Sequence, residues 1–303
     1  INMAAAVADP SNRVHDEIPD NVCYDWGWIE DNRAKVDAAI KSAPHVTTLE
    51  LVNNRLVPNA MEPRASIGEY FPGTGDYKLT TTSQNPHLTR LLVAAFVLGI
   101  PENKLQVVAP DVGGGFGSKI YHYGEEALVL AAAKKLARPV RWTAERSESF
   151  LSDAHGRDHV TKSELACDLA GNFIAVRSET VANGGAYLAN VATVTPTFLH
   201  GTLMAGPYKV PNVYVNVKTV FTNTAPVDAY RGAGRPEATY SLERVVDKMC
   251  RELGLDPFEV RRKNFVTTDM FPYTTPVALV YVTGNYHATL DKVMELADVA
   301  GFS

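Results

Sequence analysis

Three short segments combine side chains and glycines in ways that suit ligand chemistry. GGGFGSK fills residues 113–119 and follows an apolar run at residues 105–109. Glycines in such number give up side-chain packing and cost backbone entropy, which suggests that another backbone or a ligand approaches closely; consecutive N–H groups there can cradle a phosphate or an oxo group. TSQNPH, residues 82–87, sets the amide of Gln84 where a strand pattern gives way to a helix pattern. AYRGAGRPE, residues 229–237, is a glycine loop that carries Arg231 and Arg235 into a helix. ERSE at residues 145–148 and DAHGR at 153–157 add a dense polar patch.

Taken singly, each segment has a plainer explanation. A Walker loop needs Gly-Lys-Ser/Thr, but Ser118 separates Gly117 from Lys119. The dinucleotide fingerprint fails too, because Ser118 stands where its third glycine belongs and the next strand pattern ends near Glu145, too late for the ribose acid. A tight turn between strand and helix accounts for the loop on its own. Gln84 alone reads as a strand-end amide that caps backbone groups, and Phe116 as a core aromatic. Arg235 and Glu237 read as a local ion pair at a helix start, and Glu125 and Glu126 as partners of a helix dipole.

These residues must be held by regular elements, and the chain offers both kinds. Residues 1–25, rich in Asp, Asn and Pro, read as an extended lead-in, and residues 26–303 as the domain, divisible at 26–155 and 156–303. Residues 30–43 are helical, with Val36, Ala39 and Ile40 on one face. Strand patterns cover 46–51, with a turn at Asn53-Asn54, and 77–83. Asn85 and Pro86 start a helix as N-cap and first-turn proline, and its stretch 88–98 is apolar enough to be buried. A strand at 104–109, a helix at 125–137 and a strand at 140–144 follow. A long hairpin is expected from 160–168 and 173–181 about Ala170-Gly171-Asn172, then a β region at 213–222. Helices close the chain at 237–253, 257–264 and 289–300. The elements mix without regular βαβ alternation, which points to an α+β fold of mixed sheets with packed helices.

Composition removes several function classes. At 303 residues, 46% hydrophobic and 21% charged, the chain can bury a sizeable core. Its net charge of −5 offers no basic stripe, against a nucleic-acid partner, so an anionic ligand must be held by local donors. Cys23, Cys167 and Cys250 are far apart, without a C-x-x-C pair; they read as reduced thiols of a cytoplasmic protein, with no ligand set for zinc or an iron–sulfur cluster. No apolar run reaches the roughly 18 residues of a membrane span, and no signal peptide opens the chain. The chain starts on Ile1 and stops just after a helix pattern, and so is read as a fragment of a longer polypeptide.

The three segments and the polar patch, in this order and spacing, resemble the xanthine dehydrogenase/aldehyde oxidase family of molybdenum hydroxylases, in particular large subunits of the carbon-monoxide-dehydrogenase type. The resemblance runs from about Pro19 through Phe302. It implies the first of two α+β molybdopterin-binding domains, the second being absent from this chain. The implied cofactor is molybdopterin with molybdenum, often as the cytosine dinucleotide, and no protein side chain ligates the metal. By the same resemblance Gln84 hydrogen-bonds an oxygen ligand of molybdenum. Gly115, Phe116 and Gly117 bring backbone N–H groups to the cofactor, with Phe116 near metal and substrate. Arg231 lies beside molybdenum, its peptide contacting the cofactor and its guanidinium, near some acceptor, organising the site.

The implied reaction is hydroxylation of a small-molecule carbon centre with water as oxygen source, electrons leaving through iron–sulfur and FAD partners. The general base of the family is a Glu of the second domain, so none is nominated here. One departure narrows the branch. Carbon monoxide oxidisers carry a Cys directly after the loop arginine to hold copper, and Gly232 stands there, so no copper is expected. Aldehydes and N-heterocycles are then the substrate classes the family offers. The alternatives are a non-catalytic domain that has lost the cofactor, a carbon-monoxide-dehydrogenase-like enzyme of unknown substrate, and a nucleotide enzyme using GGGFG as a phosphate loop.

Overall fold

The computed structural model describes residues 3–9 and 11–302. Its elements run in chain order as α1 (Met3–Ala8), β1 (Val22–Trp28), α2 (Arg33–Ser42), β2 (His45–Asn53), β3 (Ala65–Phe71), β4 (Asp76–Thr81) and α3 (Pro86–Leu91). After α3 come a π-helical stretch Leu92–Leu98, β5 (Leu105–Val108), α4 (Gly124–Leu136), β6 (Val140–Thr143) and α5 (Arg146–Ser152). The second half holds β7 (His159–Cys167), β8 (Phe173–Gly185), α6 (Phe198–Gly201), β9 (Asn212–Phe221), α7 (Arg235–Leu253), α8 (Pro257–Asn264), the short pair β10 (Tyr273–Thr274) and β11 (Val280–Tyr281), and α9 (Tyr286–Leu296). The fold is α+β with mixed sheets, as the unordered alternation of strand and helix patterns implied.

Two sheets organise it. The larger has the order β1-β9-β8-β7-β2, with β8 and β9 parallel and the other neighbours antiparallel. The smaller has the order β5-β4-β3-β6, with β4 and β5 parallel. Helix α7 covers the larger sheet on one face, where Leu165, Val176, Val213 and Val215 meet Leu242, Val245, Val246 and Met249, all at most 1% exposed. Each such side chain contributes about 1.5–3 kcal/mol by leaving water. Val36 of α2 packs the opposite face against Ala166, Ala175 and Tyr214, with Ala39 and Ile40 beside it. The smaller sheet is covered by α4 through Val129 and Leu130 against Leu79 and Leu105.

Near its open end the layer between β7 and α7 turns polar. Alternation along β7 sends His159, Thr161 and Ser163 to buried positions. His159 faces His200 of α6 with ring centroids 5.7 Å apart, and both are fully enclosed. Burial lowers the pKa of His159 to about 4 and that of His200 to about 3, so both rings are neutral.

Two expectations change. The lead-in is not featureless: the alanine-rich run forms α1, whose Ala6 and Met3 pack on Val220, and β1 starts at Val22 as an edge strand of the large sheet. The 88–98 stretch is helical but only partly buried. Its second half widens into the π form, which changes the side-chain phase; Val93 and Ala94 stay inside, whereas Phe96 and Val97 are 77% and 51% exposed.

Strand direction decides where the functional segments meet. Because β4 and β5 are parallel, TSQNPH and GGGFGSK leave the small sheet at the same end, where β3 also starts. In the large sheet the ends of β2, β8 and β9 and the start of β7 share one end. The segment from β2 to β3, residues 54–64, crosses from that end of one sheet to that of the other.

Candidate functional site

At this seam the three motifs interlock. Gln84 Oε1 accepts the N–H of Gly117 at 2.8 Å and that of Lys119 at 3.3 Å, while its own backbone N–H donates to Lys119 O at 2.9 Å. An oxygen that receives two backbone donors must be the carbonyl, so the NH2 of Gln84 points away from the loop. That amide is exposed, and its donors have no partner among the described residues. Arg231 N–H donates to Phe116 O at 2.8 Å, which zips the arginine loop onto the glycine loop.

Two of the glycines are required by this packing. A Cβ on Gly117, whose φ is +114°, would collide with Ala229 O. A Cβ on Gly115 would occupy the place of Gln84 Oε1. Phe116 itself has φ +54°, a left-handed conformation that a bulky residue adopts at a cost of about 1–3 kcal/mol. Its ring is 44% exposed, not a core aromatic, and lies 5.8 Å from the Arg231 guanidinium carbon.

Within residues 113–119 most N–H groups are already bonded inside the protein. Gly113 donates to Glu62 Oε2, Gly114 to Val112 O, Gly117 and Lys119 to Gln84, and Ser118 to Gly115 O. Only the N–H groups of Gly115 and Phe116 lack a partner among the described residues. A phosphate cradle needs a run of free donors, so the nucleotide-loop alternative loses its basis. The expectation for Gly117 changes as well: its N–H orients Gln84 and is not free to face a ligand.

The arginines divide their work unexpectedly. Arg231 is exposed, and its guanidinium has no ion pair among the described residues, none of which supplies the acceptor expected beside it. The buried cation behind it is Arg157, whose guanidinium donates to Tyr230 O at 2.8 Å, Arg231 O at 3.0 Å and Glu237 Oε1 at 3.1 Å. Arg235 and Glu237 form no ion pair: residues two apart on a helix face different ways, and Glu237 turns inward to Arg157 while Arg235 reaches the carbonyls of Gly232 and Ala233.

The polar patch and the helix-start acids also prove structural. Arg64, 4% exposed, pairs with Asp153 at 2.6 Å and Glu125 at 3.1 Å and lies 3.6 Å above the Tyr123 ring. Tyr123 OH donates to Ser118 O at 2.6 Å and accepts from Ala154 N–H at 2.9 Å, tying the glycine loop to the segment that leads into β7. Glu126 closes a capping box on Tyr123 N–H and accepts from Thr81. Sequence reasoning missed Glu62, and it named Lys119 and the patch holding Arg157 without finding their partners. Lys119 is buried and donates to Glu62 Oε2 at 2.9 Å; burial opposes charge on Glu62, yet Lys119 and the Gly113 N–H hold its carboxyl below the usual range. Among the described residues no group of three His, Cys, Asp or Glu side chains could hold a metal ion, and no helix is long and apolar enough to cross a membrane.

Comparison with known proteins then decides the family. The molybdopterin cofactor-binding domain family matches residues 14–265. The chain belongs to this family of molybdenum hydroxylase domains. The carbon monoxide dehydrogenase large chain of Hydrogenophaga pseudoflava is 36% identical over 283 residues, covering 92% of this chain and 34% of the relative. The nicotine 6-hydroxylase large subunit of Paenarthrobacter nicotinovorans is 31% identical, covering 88% and 33%. Quinoline 2-oxidoreductase from Pseudomonas putida 86 superposes with a TM-score of 0.92 at 32% identity, over 98% of this chain and 37% of that one. This molybdenum hydroxylase domain thus spans about a third of the length of the relatives it matches.

Proposed function

We propose that the chain forms the molybdopterin-facing surface of an oxidoreductase that hydroxylates an aldehyde or an N-heterocycle with water as oxygen source. One observation supports this above the rest: the three motifs interlock so that, among the described residues, the exposed Gln84, Phe116 and Arg231 keep an amide, an N–H and a guanidinium without partners, next to the unpartnered N–H of the buried Gly115. Such a donor set suits a group rich in oxygen acceptors. A scaffold that had lost the cofactor would have no reason to retain them.

When bound, the cofactor supplies the redox chemistry, taking two electrons from the substrate carbon and delivering oxygen drawn from water. The chain's own residues bind and orient. Gln84 donates to an oxygen of the group, its direction fixed by the two N–H bonds on its carbonyl. Gly115 and Phe116 would add backbone donors, and the half-exposed Phe116 ring would lie beside the substrate. Arg231 offers its guanidinium, with its carbonyl turned inward to Arg157. Of the carboxylates that touch these loops, Glu62 and Glu237 are paired with buried cations, and Asp228 is buried and accepts the N–H groups of Ala229 and Val191, so none is nominated as general base. We place the base, a Glu, in a second molybdopterin-binding domain outside these residues.

Gly232 argues against a copper-dependent activity. It has φ +107°, and a Cβ there would come within 2.6 Å of Pro236 Cγ, so this backbone suits neither a Cys nor its copper. The cytosine dinucleotide form, iron–sulfur and FAD partner subunits, and a cytoplasmic location belong to the same proposal; several relatives are named as large chains or subunits. The test is molybdenum and pterin analysis of the full-length protein purified with its partners, where absence of both sinks the proposal. In that enzyme Gln84→Ala should slow turnover with cofactor still bound, and unchanged kinetics would remove Gln84 from the site.

A further inference from the structure

We infer that Glu62 is a positioning residue for the glycine loop, acting through the buried Lys119 to set where Gly115 and Phe116 present their N–H groups. The inference rests on the proposal that this loop faces the cofactor. Glu62 lies outside all three motifs, in the segment that crosses between the sheets.

Both ends of the loop close on this one residue. Glu62 Oε2 accepts the Gly113 N–H at 2.9 Å and Lys119 Nζ at 2.9 Å. Its backbone answers in kind: Glu62 O accepts Lys119 Nζ at 2.9 Å, and Glu62 N–H donates to Gly113 O at 3.2 Å. Gly113 has no left-handed φ to explain it; instead a Cβ there would come within 2.6 Å of Glu62 Cβ. The first glycine of the run is therefore required by the approach of Glu62 and not by a ligand.

Lys119 makes the hold stiff. Its side chain is 1% exposed, and an ammonium so enclosed requires a charged partner. Glu62 is in turn anchored through its neighbours, because Arg146 of α5 donates to Met61 O at 2.9 Å and Asn59 Oδ1 at 2.6 Å. Inside the bracket Gln84 takes the N–H groups of Gly117 and Lys119. The Gly115-Phe116 peptide is held through its neighbours, Gly115 O by the N–H and Oγ of Ser118 and Phe116 O by Arg231 N–H, and Ser118 stands next to Lys119, so shifting that flank moves it.

The experiment uses the full-length enzyme with its partners, as wild type, Glu62→Gln, Lys119→Met and the double variant. Hydrogen exchange at residues 113–119 is read alongside molybdenum content, kcat and KM. Glu62→Gln is expected to speed exchange in that run at least tenfold, with α4 and β7 unchanged, and to lower kcat at least tenfold at retained molybdenum and with KM within twofold. The double variant removes the uncompensated ammonium, so it should recover thermal stability relative to Glu62→Gln but keep the fast exchange and low kcat, since the tie between position 62 and position 119 stays broken. Wild-type exchange in Glu62→Gln overturns the inference, and so does fast exchange with unchanged kcat. A wild-type enzyme free of molybdenum would overturn the functional proposal instead, while the exchange arm still decides whether Glu62 holds the loop.

Discussion

Acid should destabilise this domain through its two enclosed histidines. In the unfolded chain a histidine titrates near 6.5, whereas burial lowers His159 to about 4 and His200 to about 3. Both folded pKa values are depressed, so the unfolded chain binds more protons below about pH 6.5 and stability falls with pH from there toward 4 and 3. Between about pH 7.5 and about pH 5, each ring should remove about 2 kcal/mol, and the pair about 4 kcal/mol. Asp153 and Asp228, raised chiefly by burial, oppose this in the acid range, so the contribution is best isolated by difference. His200→Leu keeps a comparable volume and removes two ring nitrogens that have no partner. Urea unfolding should show it near wild type at about pH 7.5, and falling about 2 kcal/mol less than wild type on going to about pH 5. Equal losses in the two proteins would refute the assignment of a buried neutral ring to position 200.

Two further substitutions test the seam. Gly117→Ala meets both a left-handed φ and the carbonyl of Ala229, and should cost about 2–5 kcal/mol, read as a lowered Tm; a wild-type Tm would show that the two loops do not touch there. Arg157→Met leaves the buried Glu237 unpaired and should cost about 3–5 kcal/mol in urea unfolding, of which Arg157→Met/Glu237→Gln should regain a large part. A double variant no more stable than the single one contradicts that account.

What sequence revealed and what it hid follow from range. Local chemistry was legible: Asn85 caps α3 by accepting from Leu88 N–H, and Asp168 closes the β7–β8 turn by accepting from Ala170 and Asn172 N–H. The glycine loop, Gln84 and Arg231 were singled out, and the structure joins their segments. Partners distant in sequence were not legible. Glu62 and Lys119 stand 57 positions apart and Arg157 and Glu237 80 apart, with no periodicity to link them. Strand β3 was missed because Pro63 and Gly68 interrupt its surroundings; Gly68 is there because a Cβ would come within 2.5 Å of the Val129 backbone of α4. The exposed Phe96 escaped notice because periodicity counts 3.6 residues per turn and the helix there does not.

The seam between the sheets also implies an order of events. Gln84 and Gly117 sit on one side of it and Ala229 to Arg231 on the other, more than a hundred residues later in the chain than Gly117. Each of these loops is carried by strand ends of its own sheet, so the contacts across the seam can form only once both sheets present those ends. A newly made chain should then possess both sheets before it possesses the donor surface. Loading would be a last step performed on a nearly finished protein, and damage that parts the sheets slightly would release the cofactor well before the chain unfolds.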